Sequence, residues 1–181
     1  MMHNYLPKYF TFIDKFNKEF LEKLSKKVAI IYRDNSNKID LKIIQKLNFF
    51  CKTNKRKLFI ANNIKLAKIL DCDGVYISAY NKKLLRYDIS RKKKFRVIGS
   101  AHSLDEILIK EKQGVDLIFL SPLFYNKKNN RSLGISKFNL LSYKSRIKII
   151  ALGGINNTNI KKLKMIKNSG FAAISFFRNK T

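Results

Sequence analysis

Residues 96–120, RVIGSAHSLDEILIKEKQGVDLIFL, decide the fold class. Arg96 to Gly99 is a short apolar run with β-branched residues, and Leu117 to Leu120 is another. Between them Ser103-Leu-Asp-Glu106 reads as a capping box, a pattern that satisfies orphan N–H groups at a helix start. The helix it opens is predicted over Leu104 to Gln113. An apolar run, a capped helix and a second apolar run make one strand, helix, strand unit. Strands this continuously apolar are the kind buried on both faces of a parallel sheet.

The same unit repeats outward in both directions. The chain carries eight such runs: Tyr9 to Ile13, Val28 to Tyr32, Leu58 to Ile60, Val75 to Ser78, Arg96 to Gly99, Leu117 to Leu120, Ile147 to Leu152 and Phe171 to Phe176. Stretches of helical period fall between them at Asn17 to Lys26, Leu41 to Asn54, Ile64 to Leu70, Leu104 to Gln113, Lys137 to Tyr143 and Thr158 to Lys167. Eight repeats in order predict an α/β fold, a (β/α)8 TIM barrel occupying residues 1–181 as one domain. An open doubly wound sheet uses the same repeat and is the alternative. Asn81 to Lys94 is the least helical connection, Asn156 to Asn159 supply cap candidates, and Lys127 to Arg131 reads as a mobile lid. The chain stops at Thr181, where a complete barrel would place another helix. The last helix is therefore expected to be truncated or missing. Phe176 and Phe177 would then need cover from the segment around Tyr5 to Pro7, or from a second copy in a homo-oligomer.

Composition narrows the classes. No charged leader and no apolar run of roughly 18 residues is present, so a soluble, cytoplasmic protein without a membrane partner is expected. Cys51 and Cys72 sit in no paired metal spacing and read as packing residues. The formal net charge of +27 would suit a polyanionic partner such as nucleic acid. The basic residues, however, are scattered over every inter-strand segment, and Lys, Asn and Ile share A/T-rich codons. Codon bias explains the excess better than selection for nucleic acid, and no aromatic platform is interleaved with the lysines.

In such a barrel the residues that follow each strand build the site. Those positions hold Arg33, Asp34 and Asn35; Asn62 and Asn63; Ser100 and His102; Ser121; Gly153 and Gly154; and Ser175. Gly153-Gly154 admits close backbone approach, and free N–H groups at a following helix start can hold a phosphate. A tight turn alone is the other reading. Imidazole changes charge near neutral pH, so His102 is a candidate general base or acid, or else a residue that orders Ser100 and its loop.

Taken in order, these segments resemble the thiamine phosphate synthase and TenI family over nearly the whole chain. Val97-Ile-Gly-Ser-Ala-His-Ser103 is similar to the family's I-G-x-S-x-H-S, and Ile118-Phe-Leu-Ser-Pro-Leu-Phe124 to its G-P-x-F segment. Ile149-Ile-Ala-Leu-Gly-Gly-Ile155 resembles I-P-V-x-A-I-G-G-I, Gly170-Phe-Ala-Ala-Ile-Ser175 resembles G-V-A-V-I-S, and Asp73-Gly74-Val75 matches A-D-G-V-H. The resemblance implies that Gly154 and Ser175, with Gly153, hold the phosphate of a thiazole phosphate, with His102, Ser100 and Arg33 as catalytic candidates. Synthases of the family join that thiazole to a pyrimidine methyl diphosphate; TenI-type relatives act as thiazole tautomerases.

The first half departs from the synthase pattern. Q-x-R-x-K reads Ile31-Tyr-Arg33-Asp-Asn35, and only the arginine survives. The Mg²⁺-binding Asp of the family's N-D is Asn63, after Asn62, and the second acidic metal position falls on Ser78-Ala-Tyr-Asn81. Mg²⁺ normally takes carboxylate and phosphate oxygens, so with both carboxylates replaced by amides no metal and no cofactor is expected, unless the chain is a synthase. The T-x-T-K lid reads Asn126-Lys-Lys-Asn129, where Lys127 or Lys128 stands in for the lysine in a different register. A TenI-like protein binding a thiazole phosphate, a divergent synthase, and a non-catalytic binding barrel are the three readings, in that order.

Overall fold

Apolar residues at alternate positions of Tyr9–Ile13 (β1) face opposite ways: Phe10 and Phe12 join an inner core, and Ile13 an outer one. Both faces are covered, which is why the strand needs no polar side. The computed structural model describes residues 6–34, 39–84, 95–125, 131–167 and 169–178. After β1 come Lys18–Lys23 (α1), Val28–Tyr32 (β2), Leu41–Thr53 (α2), Leu58–Ala61 (β3), Ile64–Ile69 (α3) and Gly74–Ile77 (β4). Arg96–Ala101 (β5), Leu104–Lys112 (α4), Leu117–Leu120 (β6), Gly134–Lys144 (α5) and Ile149–Leu152 (β7) follow. A 3-10 helix at Ile160–Met165, Phe171–Ala172 (β8) and Ser175–Arg178 (α6) complete the order. The eight strands are parallel and close in sequence order, the TIM barrel expected from the repeats. Among the described residues the last element is the four-residue α6.

The barrel interior is filled mainly by rings. Phe10, Phe12, Phe59, Tyr76 and Phe119 meet there, with centroids 4.9 Å apart for Phe10 and Phe119 and 5.2 Å for Phe12 and Tyr76. Each buried phenyl of this kind contributes about 1.5–3 kcal/mol from burial alone. The outer core is aliphatic and lies under the helices. Helices α1 to α4 each begin on a side-chain cap: Asn17 accepts from Phe20 N, Asp40 from Ile43 N, Asn63 from Leu66 N and Ser103 from Glu106 N. Among the described residues no helix is long and apolar enough to cross a membrane.

Two expectations change. The eighth strand ends at Ala172, where pairing to Phe10 ends, and the chain turns into α6. A strand would have sent Phe176 and Phe177 to opposite faces. The helical turn instead sets both against Phe171, at 5.4 and 5.7 Å between ring centroids, and leaves them 6% and 8% exposed. Both rings are thus buried within this chain, against Phe171 and each other, and Leu6 packs on the inner core; Tyr5, expected among their cover, lies outside the described residues. The helix expected at Thr158 to Lys167 is the 3-10 turn Ile160–Met165. The Asn156 carboxamide oxygen takes Thr158 N at 2.9 Å and Asn159 N at 3.2 Å, a local turn that competes with an α-helical start. Asp73, matched to a family motif, lies at the opposite end of the barrel from the strand-end residues, where its carboxylate accepts from Leu58 N and Lys57.

Candidate functional site

Residues that follow the strands converge on a cavity of about 650 Å³ at the carboxyl ends of the barrel. Arg33, Ser100, His102 and Gly153, all expected from the sequence, line it together. Asn62 and Asn63 line a neighbouring cavity of about 430 Å³, and Arg33 and Tyr80 form the wall shared by the two.

His102 is held by the residues around it. Its Nδ1 lies 2.8 Å from the Ser121 carbonyl and 3.1 Å from Ser121 Oγ. A carbonyl only accepts, so Nδ1 carries a proton in this contact, and in the neutral ring Nε2 is the nitrogen with the lone pair. The His102 backbone N–H donates to Glu106 Oε2 at 2.6 Å, while Ser103 Oγ accepts from Glu106 N at 3.3 Å. The capping box read from the sequence therefore fixes the loop that carries the imidazole.

Ser100 sits deeper, 3% exposed, and its Oγ accepts from the Tyr76 hydroxyl at 2.8 Å. Burial pushes the Tyr76 phenol up from its ordinary value, and the Ser100 hydrogen bond and the nearby Arg33 guanidinium pull against that shift. Tyr76 was missing from the sequence expectations. Its signal is a polar group at an inward position of an otherwise apolar strand.

The two glycines are required by packing. At Gly153 (φ +93°) a Cβ would come 2.8 Å from Pro122 Cα, and at Gly154 (φ +70°) it would run into the Phe124 carbonyl. The loop after β6 leans on this turn through Leu123 N to Leu152 O and Phe124 N to Gly153 O. Neither glycine's N–H donates to a backbone carbonyl among the described residues. Gly153, Ile174 and Arg178 line the cavity, whereas Gly154 and Ser175, their neighbours in the chain, are not part of its lining. Arg178 pairs at 3.8 Å with Asp14, which follows β1 and shares the lining. Neither Asp14 nor Arg178 belongs to a recognisable motif, and only the closure of β1 on β8 brings them together.

The remaining expected residues have structural partners. The Asn62 amide donates to Ser78 Oγ at 2.8 Å and Tyr80 Oη at 2.7 Å, and its oxygen accepts from Ser78 N. Asn63 caps α3. Asn81 Oδ1 accepts from Lys83 N at 3.3 Å, and its carbonyl is taken by Lys110 and Gln113. Asn35, Lys127 and Lys128 lie outside the described residues.

Fold and site together define a (β/α)8 barrel with a polar cavity on the face where such barrels carry their chemistry. The thiamine monophosphate synthase family, TMP-TENI, matches residues 13–177, and the chain belongs to it. A protein of Aquifex aeolicus named "Putative thiamine-phosphate synthase 2" is 28% identical over 184 residues, covering 95% of this chain and 98% of that protein. A thiamine-phosphate synthase of Prochlorococcus marinus is 32% identical over 136 residues, which are 72% of this chain; the match spans only 38% of that longer protein. The thiamine phosphate pyrophosphorylase of Pyrococcus furiosus shares the fold, with a TM-score of 0.74 at 21% identity over 92% of this chain and 84% of that one.

Synthases of the family use Mg²⁺, which is held by oxygen ligands and usually by carboxylates. Here the two corresponding positions are amides whose side-chain oxygens already accept a backbone N–H, Asn63 from Leu66 on a helix cap and Asn81 from Lys83, while the Asn81 backbone carbonyl is taken by Lys110 and Gln113. Among the described residues no group of three His, Cys, Asp or Glu could hold a metal ion. These residues do not fit a Mg²⁺ site.

Proposed function

We propose that this chain works in the thiazole branch of thiamine biosynthesis as a TenI-like barrel, binding a thiazole phosphate at its mouth and moving a proton on it through His102. The observation that carries the reading is the fixed tautomer: Nδ1–H is committed to Ser121 O, and His102 lines the cavity with Arg33 and Gly153. Nε2 can take a proton from one ring position of the thiazole and return it to another. The bond to Ser121 O persists through both transfers and stabilises the transient imidazolium. Ser100 orients the Tyr76 hydroxyl on the cavity floor. The N–H groups of Gly153 and Gly154, with Ser175, suit the phosphate, and Arg33 on the cavity wall supplies positive charge; Lys127 and Lys128 are further candidates by their charge alone. Calorimetry with hydroxyethylthiazole phosphate tests the reading: saturable heat is expected, and no binding at millimolar ligand overturns it.

A second reading, a divergent synthase, is favoured by the end-to-end match to the Aquifex aeolicus protein. Incubation with the pyrimidine diphosphate, the thiazole phosphate and Mg²⁺ would then yield thiamine phosphate. A clean absence of product rejects it.

A further inference from the structure

Lys110 is a lysine on the buried face of α4 and is 0% exposed. Its Nζ donates to Ser78 O at 2.9 Å, Asn81 O at 2.8 Å and Gln113 Oε1 at 2.9 Å. Three ammonium protons thus meet three acceptors, and no carboxylate among the described residues is hydrogen-bonded to them. Gln113 adds its own amide protons to Asn81 O and Lys83 O. The slot for the stem exists because residue 99 is glycine: a Cβ there would lie 2.9 Å from Lys110 Cδ. A buried, fully hydrogen-bonded cation is a costly way to fill a helix position, which an apolar side chain would fill more cheaply. The cost points to a task beyond packing.

The task is visible in what Lys110 holds. Ser78 O belongs to the same residue whose N–H and Oγ are bound by Asn62 from the other side of the loop. Asn62 in turn holds Tyr80 Oη, and Ser78, Ala79 and Tyr80 form one wall of the cavity that His102 lines. The turn is gripped by α4 below and by the loop after β3 above, with Ser78 common to both.

We propose that Lys110 is a positioning residue of the site, a resident ammonium that fixes the Ser78 to Asn81 turn and through it the Asn62 and Tyr80 wall against which the ligand binds. The inference rests on the thiazole phosphate reading only for the identity of the ligand. It also accounts for the poor fit of Mg²⁺: the turn's carbonyls, oxygens of the kind a divalent cation would use, already serve an internal cation. Glu106, one turn earlier on α4, is the charged group that favours the ammonium, acting against burial.

Two measurements on the intact protein test this. Lys110→Met keeps the stem volume and removes the ammonium; amide hydrogen exchange over residues 78–84 should quicken at least tenfold, with peptides from α5 and β7 unchanged. Affinity for hydroxyethylthiazole phosphate should fall by about tenfold. Val115→Ala, which trims a neighbouring core side chain, is the control for general loosening and should leave both readings at wild-type values. Gly99→Ala, which keeps the lysine but displaces its stem, should reproduce the exchange effect at smaller size and decides the matter if Lys110→Met does not fold. Wild-type exchange at 78–84 in a folded Lys110→Met or Gly99→Ala protein would overturn the proposal, as would an equal change in Val115→Ala. A wild-type protein that binds no thiazole phosphate would sink the functional reading and leave the exchange result to judge Lys110 alone.

Discussion

The two sides of the barrel mouth draw on similar residue types and use them in opposite ways. On the side of β5 to β8, backbone and packing set the geometry, so among the described residues His102 keeps an uncommitted ring nitrogen and the Gly153-Gly154 turn keeps N–H groups without backbone acceptors. On the side of β2 to β4, polar groups satisfy one another: Asn62 with Ser78 and Tyr80, Asn63 with α3, Asn81 with Lys83, Lys110 and Gln113. A buried polar group whose bonds are complete rigidifies its surroundings but has little left for a ligand. One side leaves polar groups open to the cavity, and the other is held in shape by its own hydrogen bonds.

The sharpest way to break that contrast is at the imidazole. His102→Ala should lower proton-transfer turnover by about 10²- to 10⁴-fold, with little change in the thermal midpoint because the ring is exposed. Loss of activity together with an unfolded protein would instead assign His102 to the framework. Next in size is Gly154→Ala, which combines a left-handed backbone with a collision at the Phe124 carbonyl. A stability loss of about 3 kcal/mol is expected in denaturant titration. A near-neutral variant would show that the loop after β6 can move away, and that the turn is not fixed by packing.

Lys110 gives a pH test on the opposite side. Burial pulls its ammonium down to about 8, with Glu106 opposing the shift. The folded value lies below the unfolded one, so the unfolded chain binds more protons in between. Burial of the charge therefore costs stability below pH 8, and that cost is relieved as pH rises from 8 toward the unfolded value, by up to about 3 kcal/mol. Cys51 and Cys72, both pushed up to about 12 by burial, and Tyr32 and Tyr76, also raised chiefly by burial, act the other way at alkaline pH. The difference between wild type and Lys110→Met, measured by urea titration at pH 7 and 9.5, isolates the lysine and should change with that sign. The smallest effect belongs to Asn63. Asn63→Ala should cost about 1 kcal/mol by loss of the α3 cap, and Asn63→Asp almost nothing, since both residues cap well. A large loss in the aspartate variant would mean that Asn63 has a task other than capping.

Much of the barrel was legible in order of sequence because its strands are apolar on both faces and its first four helices begin on Asn, Asp or Ser caps. The stretch from Arg96 to Leu120 was read nearly residue for residue, including the Ser103 and Glu106 pair. The eighth strand was overread because Phe171 to Phe176 is apolar throughout, and an apolar run does not reveal where its pairing partner ends. The 3-10 turn after β7 was overread as a helix because Asn156 looks like a cap and acts as a turn. At the mouth, Arg33, Ser100, His102 and Gly153 were found by position alone. Tyr76 and Lys110 were not, because a polar residue at an inward strand position and a lysine at a helical one ordinarily read as exceptions or as solvated surface.

By itself the sequence determined the eight-fold strand and helix repeat and the family resemblance, since hydrophobic period, capping chemistry and strand-end motifs are local properties of the chain; closure of β1 on β8 is a tertiary pairing. Which polar groups remain open to a ligand was decided only by tertiary structure. An asparagine, a histidine or a buried lysine has the same donors wherever it stands, and only its neighbours determine whether those donors are already spent.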